Sequence, residues 1–431
     1  MAGMGYKILG YFRNLAWRRR AQVAVLTAVT MVPVLGAVAF VTDGGVLLDQ
    51  RRRVQATADA AALAAAVELY RYYPQYGGLD ANGAARAAAL DLAARAGYSS
   101  ANGCTVEVYI PPSSGLGAGK PGYAEVIIRA PQQRMFSSIF GSDALSVAAR
   151  AVARCRWSAI QGGLIVLKPN GRATLNAVGN AVVEVRRAGV YVNSGDSAGA
   201  LAVGNASVTA PNFYFSGTPG YSTTGGGAFR GNITSGQTPV PDPLAYLPPP
   251  DPNSLPIRSR QTLRLSGSGN VTLQPGVYIG GISISGRVNV TLMPGIYYLQ
   301  GGGFQSTGQG DLIGNNVLIY NDPRSPADDI NISGLGRVEI SAPTTGPYQG
   351  LVFYQRRDAT NAISVSGNGN LRIRGAYYAA HGTTRFVGNG TGNLVATQVI
   401  SSQIVLTGNG ELIVDWVESQ VARTRSLGLV E

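Results

Sequence analysis

From residue 177 to residue 414 one short pattern keeps returning: Gly-Asn or Gly-x-Gly next to a short run in which alternate residues are apolar. It reads AVGNAVVEV at 177–185, AVGNASVTA at 202–210, SGSGNVTL at 266–273, SGRVNVTL at 285–292, IGNNVLIY at 313–320, SGLGRVEI at 333–340, SGNGNLRI at 366–373, VGNGTGNLVA at 387–396 and TGNGELIV at 407–414. Several centres fall about 17 to 28 residues apart. Self-similar β-type units at such a period mark a solenoid, and coils near 20 residues suit a right-handed parallel β-helix better than a propeller, which needs about 40 to 45 residues per blade. Val, Ile and Leu stack inward from coil to coil, while Gly or Asn takes the left-handed corner that β-branched residues avoid. The alternation predicts Ile284, Val290, Val365, Ile373 and Val405 inside, Arg372 and Arg374 outside, and corners at 269–270, 367–370 and 408–410, with asparagines able to form a ladder. A β-sandwich of hairpins is the alternative, because Asn-Gly is also a hairpin turn.

The repeats, spanning 158–418, are interrupted twice, first by residues 217–236, which are rich in Gly, Ser and Thr. Residues 239–256 (PVPDPLAYLPPPDPNSLP) hold eight prolines in 18 residues. With too few backbone donors for a central strand, they form either an extended strap between coils or a linker dividing the solenoid. Residues 419–431 carry no packing pattern and read as a flexible tail.

At the other end of the chain, Ala21 to Val41 contains no charged side chain. Twenty-one helical residues cover about 30 Å, the thickness of a bilayer's hydrocarbon core. The run continues into an alanine-rich helix and not into a cleavage site, which favours an uncleaved transmembrane signal anchor at 21–43 over a signal peptide or a buried core helix. Five basic residues precede it (Lys7, Arg13, Arg18, Arg19, Arg20) and three follow closely (Arg51, Arg52, Arg53). The bias places the tail 1–20 in the cytoplasm and the bulk of the chain outside it, in the periplasm or beyond.

Between anchor and repeats, residues 44–157 read as a small α+β domain. A helix runs from Asp49 to Tyr73, ending at Pro74. Asp80 caps a second helix that ends at Gly97. Period-two strands follow at 105–110, 123–129 and 145–153, with a short helix at 132–140.

The arginine-rich start, the span, Asp43 just after it and the helix RRRVQATADAAALAAA together resemble the N-terminal module of bacterial TadE/TadG-like Flp pilus-assembly proteins. The matching positions include Gln22, Pro33, Asp43, Arg53, Gln55 and Asp59. No Glu precedes Glu68, so the Glu–aromatic pair of processed pilins is absent and the chain resembles the unprocessed, assembly-associated members. The glycine-rich repeats resemble those that follow this module in some large members. The resemblance implies a membrane-bound, non-enzymatic structural or adhesive role, with pilus or secretion-apparatus proteins and a surface glycan or protein ligand as partners.

Glycine makes up 58 of 431 residues, and the net charge of +12 comes from arginine, with only three lysines. No basic stripe interleaved with aromatics occurs, so nucleic acid is not an expected partner. Cys104 and Cys155 are disulfide candidates in an exported chain, two buried thiols being the alternative.

Catalytic readings are thin, and no catalytic residue, cofactor or metal is expected. Gly195-Asp196-Ser197-Ala198-Gly199 is close to a serine-protease string, but the one histidine, His381, comes after it. Asp322, Asp328 and Asp329, followed by His381 and Arg385, loosely resemble a polygalacturonase order. Their spacing does not place them one coil apart, so a cell-surface polysaccharide-active β-helix enzyme is the rival reading. GQGDLIG at 308–314 is a single calcium-type fragment, and there is no zinc or nucleotide fingerprint.

Overall fold

The computed structural model describes residues 5–136, 138, 141, 143–367, 371–388 and 393–431. The chain divides into two compact units, one of residues 1–156 with 425–431 and the other of residues 157–424.

The first unit opens with α1, Gly5–Tyr76, a single helix of 72 residues. Pro33 costs it the bond that the Val29 carbonyl would accept but does not end it. Pro74 does not stop it either, contrary to expectation. The helix closes where Gly77 (φ 62°) and Gly78 (φ 88°) turn left-handed. Ala58, Ala61, Ala62, Ala65, Ala66 and Leu69 are buried, the 3–4 spacing of one helical face. Side chains this small let α1 approach its neighbours closely. One neighbour is α2, Ala84–Arg95, which contributes Ala85, Ala89 and Ala93. Asp80 supports its start from a distance, its carboxylate accepting from Ala85 N (2.9 Å) and Arg86 N (3.0 Å), while Gly83 occupies the cap position.

The other neighbour is an antiparallel sheet of β1 (Thr105–Tyr109), β2 (Tyr123–Gln132) and β3 (Leu145–Ala159). A fourth strand, Arg423–Leu429, lies next to β3. The chain's last residues are therefore not a free tail. Val152 N donates to Glu431 O (2.9 Å) and Val430 N to Val152 O (2.8 Å), satisfying backbone groups that a bare sheet edge would leave open. Gln132 ends β2 instead of starting a helix, and residues 137 and 139–140 of that expected helix lie outside the described residues.

The second unit is a parallel β-solenoid of about 11 turns. Neighbouring coils pair in parallel throughout, which excludes the hairpin sandwich. Its inner ladders are mainly apolar, with Thr384 and Ser306 as buried polar rungs. One runs Leu263, Ile282, Phe304, Ile330, Ile363. Another runs Val271, Val290, Leu312, Val338, Leu371. Each fully buried rung of this kind contributes about 1.5 to 3 kcal/mol of transfer free energy.

Of the five inward residues expected, Ile284, Val290, Val365 and Ile373 are buried, and Arg372 and Arg374 are exposed. Val405 is the exception: Ile404 and Leu406 are buried on either side and Val405 points outward. Three apolar residues in a row hide the phase of the alternation there.

Gly408, Gly179, Gly204 and Gly225 stand one above another at a corner, with φ of 98°, 84°, 81° and 71°. Beside them Asn205 donates to Asn180 (3.0 Å) and Asn180 to Asn409 (3.0 Å), an asparagine ladder. Gly269 and Asn270, expected at a corner, lie in the strand Ser268–Leu273 instead. The corner falls at Gly267 (φ 95°), while Asn270 accepts a side-chain bond from Asn289 one coil on (2.9 Å). Of the corner at 367–370, residues 368–370 lie outside the described residues.

The order of the coils departs from the order of the chain. Ile404 pairs with Leu175 and Leu412 with Val183, so the last coil stacks on the first. From that junction the early coils build away through Ala200 to Tyr221, ending at the strand Ala228–Thr234. The chain then returns along the outside of the stack as the proline-rich strap and begins again at the strand Ile257–Ser259, at the opposite end. Both chain ends of the unit thus meet in its middle, where Ile160 N donates to Ala422 O (3.1 Å).

Candidate functional site

The strap lies on an outward tyrosine ladder. Val277, Tyr298, Tyr320, Tyr354 and Tyr378 pair in register on consecutive coils. Leu244 and Leu247 of the strap are buried against this ladder. The phenols satisfy a strap poor in N–H donors by donating to its acceptors: Tyr378 to Asp242 (2.6 Å), Tyr354 to Leu247 O (2.9 Å) and Tyr348 to Pro248 O (3.2 Å). Arg357 adds a bond to Leu244 O (2.6 Å). The recurring tyrosine in PGIYY, VLIY, LVFY and GAYY is the sequence signal of this ladder, whereas Tyr278 of PGVYI pairs with Leu299 in the inner core.

The carboxylates that could support hydrolysis are engaged in structure. Asp322 is buried and accepts from Tyr298 OH (3.1 Å), Arg324 (3.0 Å) and Arg356 (2.8 Å). Burial first, and then the Asp322 carboxylate, push the Tyr298 hydroxyl up to about 12, which keeps it a donor. Asp328 folds back on its own loop, accepting from Arg324 N (2.7 Å) and Ser325 N (2.9 Å). Asp329 accepts from Ala362 N (2.7 Å). His381 is exposed with Nδ1 2.6 Å from Arg357 O. A groove of about 430 Å³ brings Asp329 and Arg385 together with Arg356 and Asp358, but neither Asp328 nor His381 lines it. Asp196 caps its own turn at Ala198 N (2.8 Å), so the 195–199 string is a polar corner. Asp311 of the calcium-type fragment accepts from Arg337 N (3.0 Å). No group of three or more metal-ligating side chains occurs among the described residues.

A second groove, of about 760 Å³, opens where Arg186, Arg187 and Arg230 meet Glu184, Asp415 and Asn232. Arg186 bonds Glu184 (2.6 Å) and holds its carboxyl below the usual range, and Arg187 pairs with Asp415. Guanidinium, carboxylate and carboxamide groups side by side can hydrogen-bond sugar hydroxyls or a peptide.

In the first unit, Asp43 is buried and accepts from Phe136 N (3.1 Å), tying the loop after β2 to α1. Arg53 pairs with Asp49 (2.9 Å), an exposed contact. Gln55 donates to Asp59 (2.8 Å) and to Arg150 O (3.0 Å), locking α1 to β3. Pro33 and Gln22 lie on α1, and the side chain of Gln22 is outside the described part.

On the sheet, Glu125 is fully buried and accepts from Ser113 N (2.7 Å), Ser113 Oγ (2.8 Å), Ser114 Oγ (3.0 Å) and Arg150. Burial alone would raise its pKa, but Arg150 and the serine donors outweigh it and hold the carboxyl at about 2. Arg150 also pairs with Glu431, so one guanidinium ties β2, β3 and the chain terminus together.

The expected disulfide is ruled out by register. Cys104 precedes Thr105, which pairs with Arg129, itself paired with Ala148, so Cys104 is level with Val147. Cys155 lies eight residues farther along β3, about 26 Å at the strand rise. Bridged cysteines need Cα atoms within about 7 Å. Both are buried in the core of the first unit, as small apolar residues would be.

Residues 21–68 match the model of a family described as putative Flp pilus-assembly TadE/G-like. That stretch covers the apolar part of α1 and the alanine face packed on α2 and the sheet. Part of the same helix is long and apolar enough to cross a membrane. Comparison with curated proteins and with solved structures found no match.

Proposed function

We propose that this chain is a non-enzymatic, single-pass protein of the cytoplasmic membrane that serves a Tad/Flp-type pilus or secretion apparatus. Its N-terminus lies in the cytoplasm, and it presents the β-solenoid outside as a rigid surface for adhesion or envelope contacts. The observation that carries this reading is the coincidence, in one helix, of the residues that match the pilus-assembly family and a segment long and apolar enough to cross a bilayer. A long, regularly stacked solenoid with a strap bonded along its flank supports a presenting role, because such a body exposes many side chains at fixed spacing. The arginine-lined groove at Glu184 and Asp415 is its best candidate ligand face, for a glycan or a protein. The engagement of Asp322, Asp328 and Asp329 in local bonds favours a scaffold over a hydrolase.

Two assays on the full chain test the reading. Deleting it from its cell should reduce assembly or attachment of Flp-type pili, and an unchanged pilus phenotype would count against the assignment. Purified chain in detergent should release no reducing ends from a polysaccharide panel. Release that is abolished by Asp329→Asn would move the reading to the enzyme.

A further inference from the structure

We propose that the first unit holds a phospholipid of the periplasmic leaflet in a groove between α1 and β3, with its acyl chains on Phe40, Val41, Leu47, Leu48 and Val147 and its phosphate on Arg51. This rests on the reading that α1 crosses the membrane.

The groove has a volume of about 790 Å³, and its walls are these residues with Gly44, Gly45, Ser146 and Ala148. Val147 is buried and Leu47 is half-buried against the core, but the other apolar groups are not core residues: Phe40 is 80%, Val41 72% and Leu48 61% exposed. A Cβ added at Gly44 or Gly45 would meet nothing within 4 Å, so the glycines leave open space. Depth agrees with the chemistry. The uncharged run ends at Val41, and Leu47 and Leu48 stand about 10 Å farther along the helix, across the headgroup layer. Arg51 is one turn beyond. Helical side chains lean toward the N-terminus, here toward the membrane, so its long stem brings the guanidinium back to the groove. A phosphate is the anion available at that level. A second apolar element sits nearby: Asp43 pins the loop that exposes Met135 and Phe136. Two exposed apolar features beside the end of a membrane-length run point to lipid and not to water.

The test uses the full chain in vesicles of phosphatidylcholine and phosphatidylglycerol. A polarity-sensitive fluorophore is placed at Ala148→Cys in the groove or at Leu116→Cys, an exposed site on the loop joining β1 and β2. Lipid spin-labelled near the headgroup should quench the Ala148 probe roughly threefold or more, as expected for a ligand largely enclosed by its pocket, and leave the Leu116 probe bright. Arg51→Glu should at least halve that quenching while the chain still floats with the vesicles. If the chain floats but the Ala148 probe is not quenched, or is shielded from lipid and aqueous quencher alike, as a partner's helix would do, the lipid site is wrong and the anchor stands. If the chain does not float, the anchor reading fails and the lipid site with it.

Discussion

Ile373 and its neighbours show how one residue's position was fixed. Arg372 and Arg374 flank it in the sequence, and an unpaired guanidinium inside a dry stack would be far costlier than one in water. The structure buries Ile373 completely and exposes both arginines. Ile373→Ala should therefore lower the stability of the solenoid by about 2 to 4 kcal/mol, and Arg372→Ala should stay within about 0.5 kcal/mol, compared by urea midpoints of the full chain in detergent. Val405 was misread because Ile404, Val405 and Leu406 offer no polar residue to set the phase. Glu125 was not legible at all, since its partners Ser113, Arg150 and Glu431 are brought together only by the sheet. With its carboxyl held at about 2 in the fold and near 4.3 in an open chain, the group's stabilisation is complete above the unfolded value and is lost as pH falls through about 2. It amounts to something on the order of 3 kcal/mol. Glu125→Gln should remove that much at pH 7, and the gap between the two proteins should close as the pH is lowered from 5 to 2. A gap independent of pH would contradict the buried carboxylate. For the cysteines, mass spectrometry should find Cys104 and Cys155 both alkylated once the chain is unfolded without reductant, and a linked peptide would refute the sheet register.

At the scale of elements, most of the anatomy followed from periodicity, because period two and period 3.6 are local. The helix face Ala58–Leu69, the three strands of the first unit and most coil strands were readable, but the strands Tyr221–Gly225 and Ala228–Thr234 lie in a Gly-, Ser- and Thr-rich stretch that hides them. What also escaped was pairing. The proline run was legible as a strap or a linker, and the tyrosine ladder decides for the strap. Leu247→Ala should weaken it by about 2 to 4 kcal/mol and make residues 239–256 the first site of limited proteolysis. A strap that is cut no faster than in the parent would mean that its docking contributes little. At the corner, a Cβ at Gly204 would lie 2.9 Å from Gly179 O in a backbone with φ 81°. Gly204→Val should cost more than the same change at Gly346, whose backbone is equally left-handed (φ 83°) but where nothing lies within 4 Å.

At the scale of the whole molecule, the coils were visible in the sequence but their order was not. Nothing in TGNGELIV or AVGNAVVEV marks that residue 412 will stack on residue 183, because every coil offers the same apolar rungs. Truncation after residue 397 tests that order. It removes the coil that joins the two halves of the solenoid and should yield two separate unfolding transitions or aggregation, whereas a solenoid wound in chain order would lose only a terminal coil. The central claim, a solenoid presented outside the cytoplasm by a membrane-anchored pilus-assembly module, is met most directly by labelling. Arg372→Cys puts a thiol on the exposed face of the solenoid, while Cys104 and Cys155 are buried. A membrane-impermeant maleimide added to intact spheroplasts should label the variant fully and the parent chain hardly at all. Labelling of the variant only after the membrane is broken would put the solenoid in the cytoplasm and contradict the account.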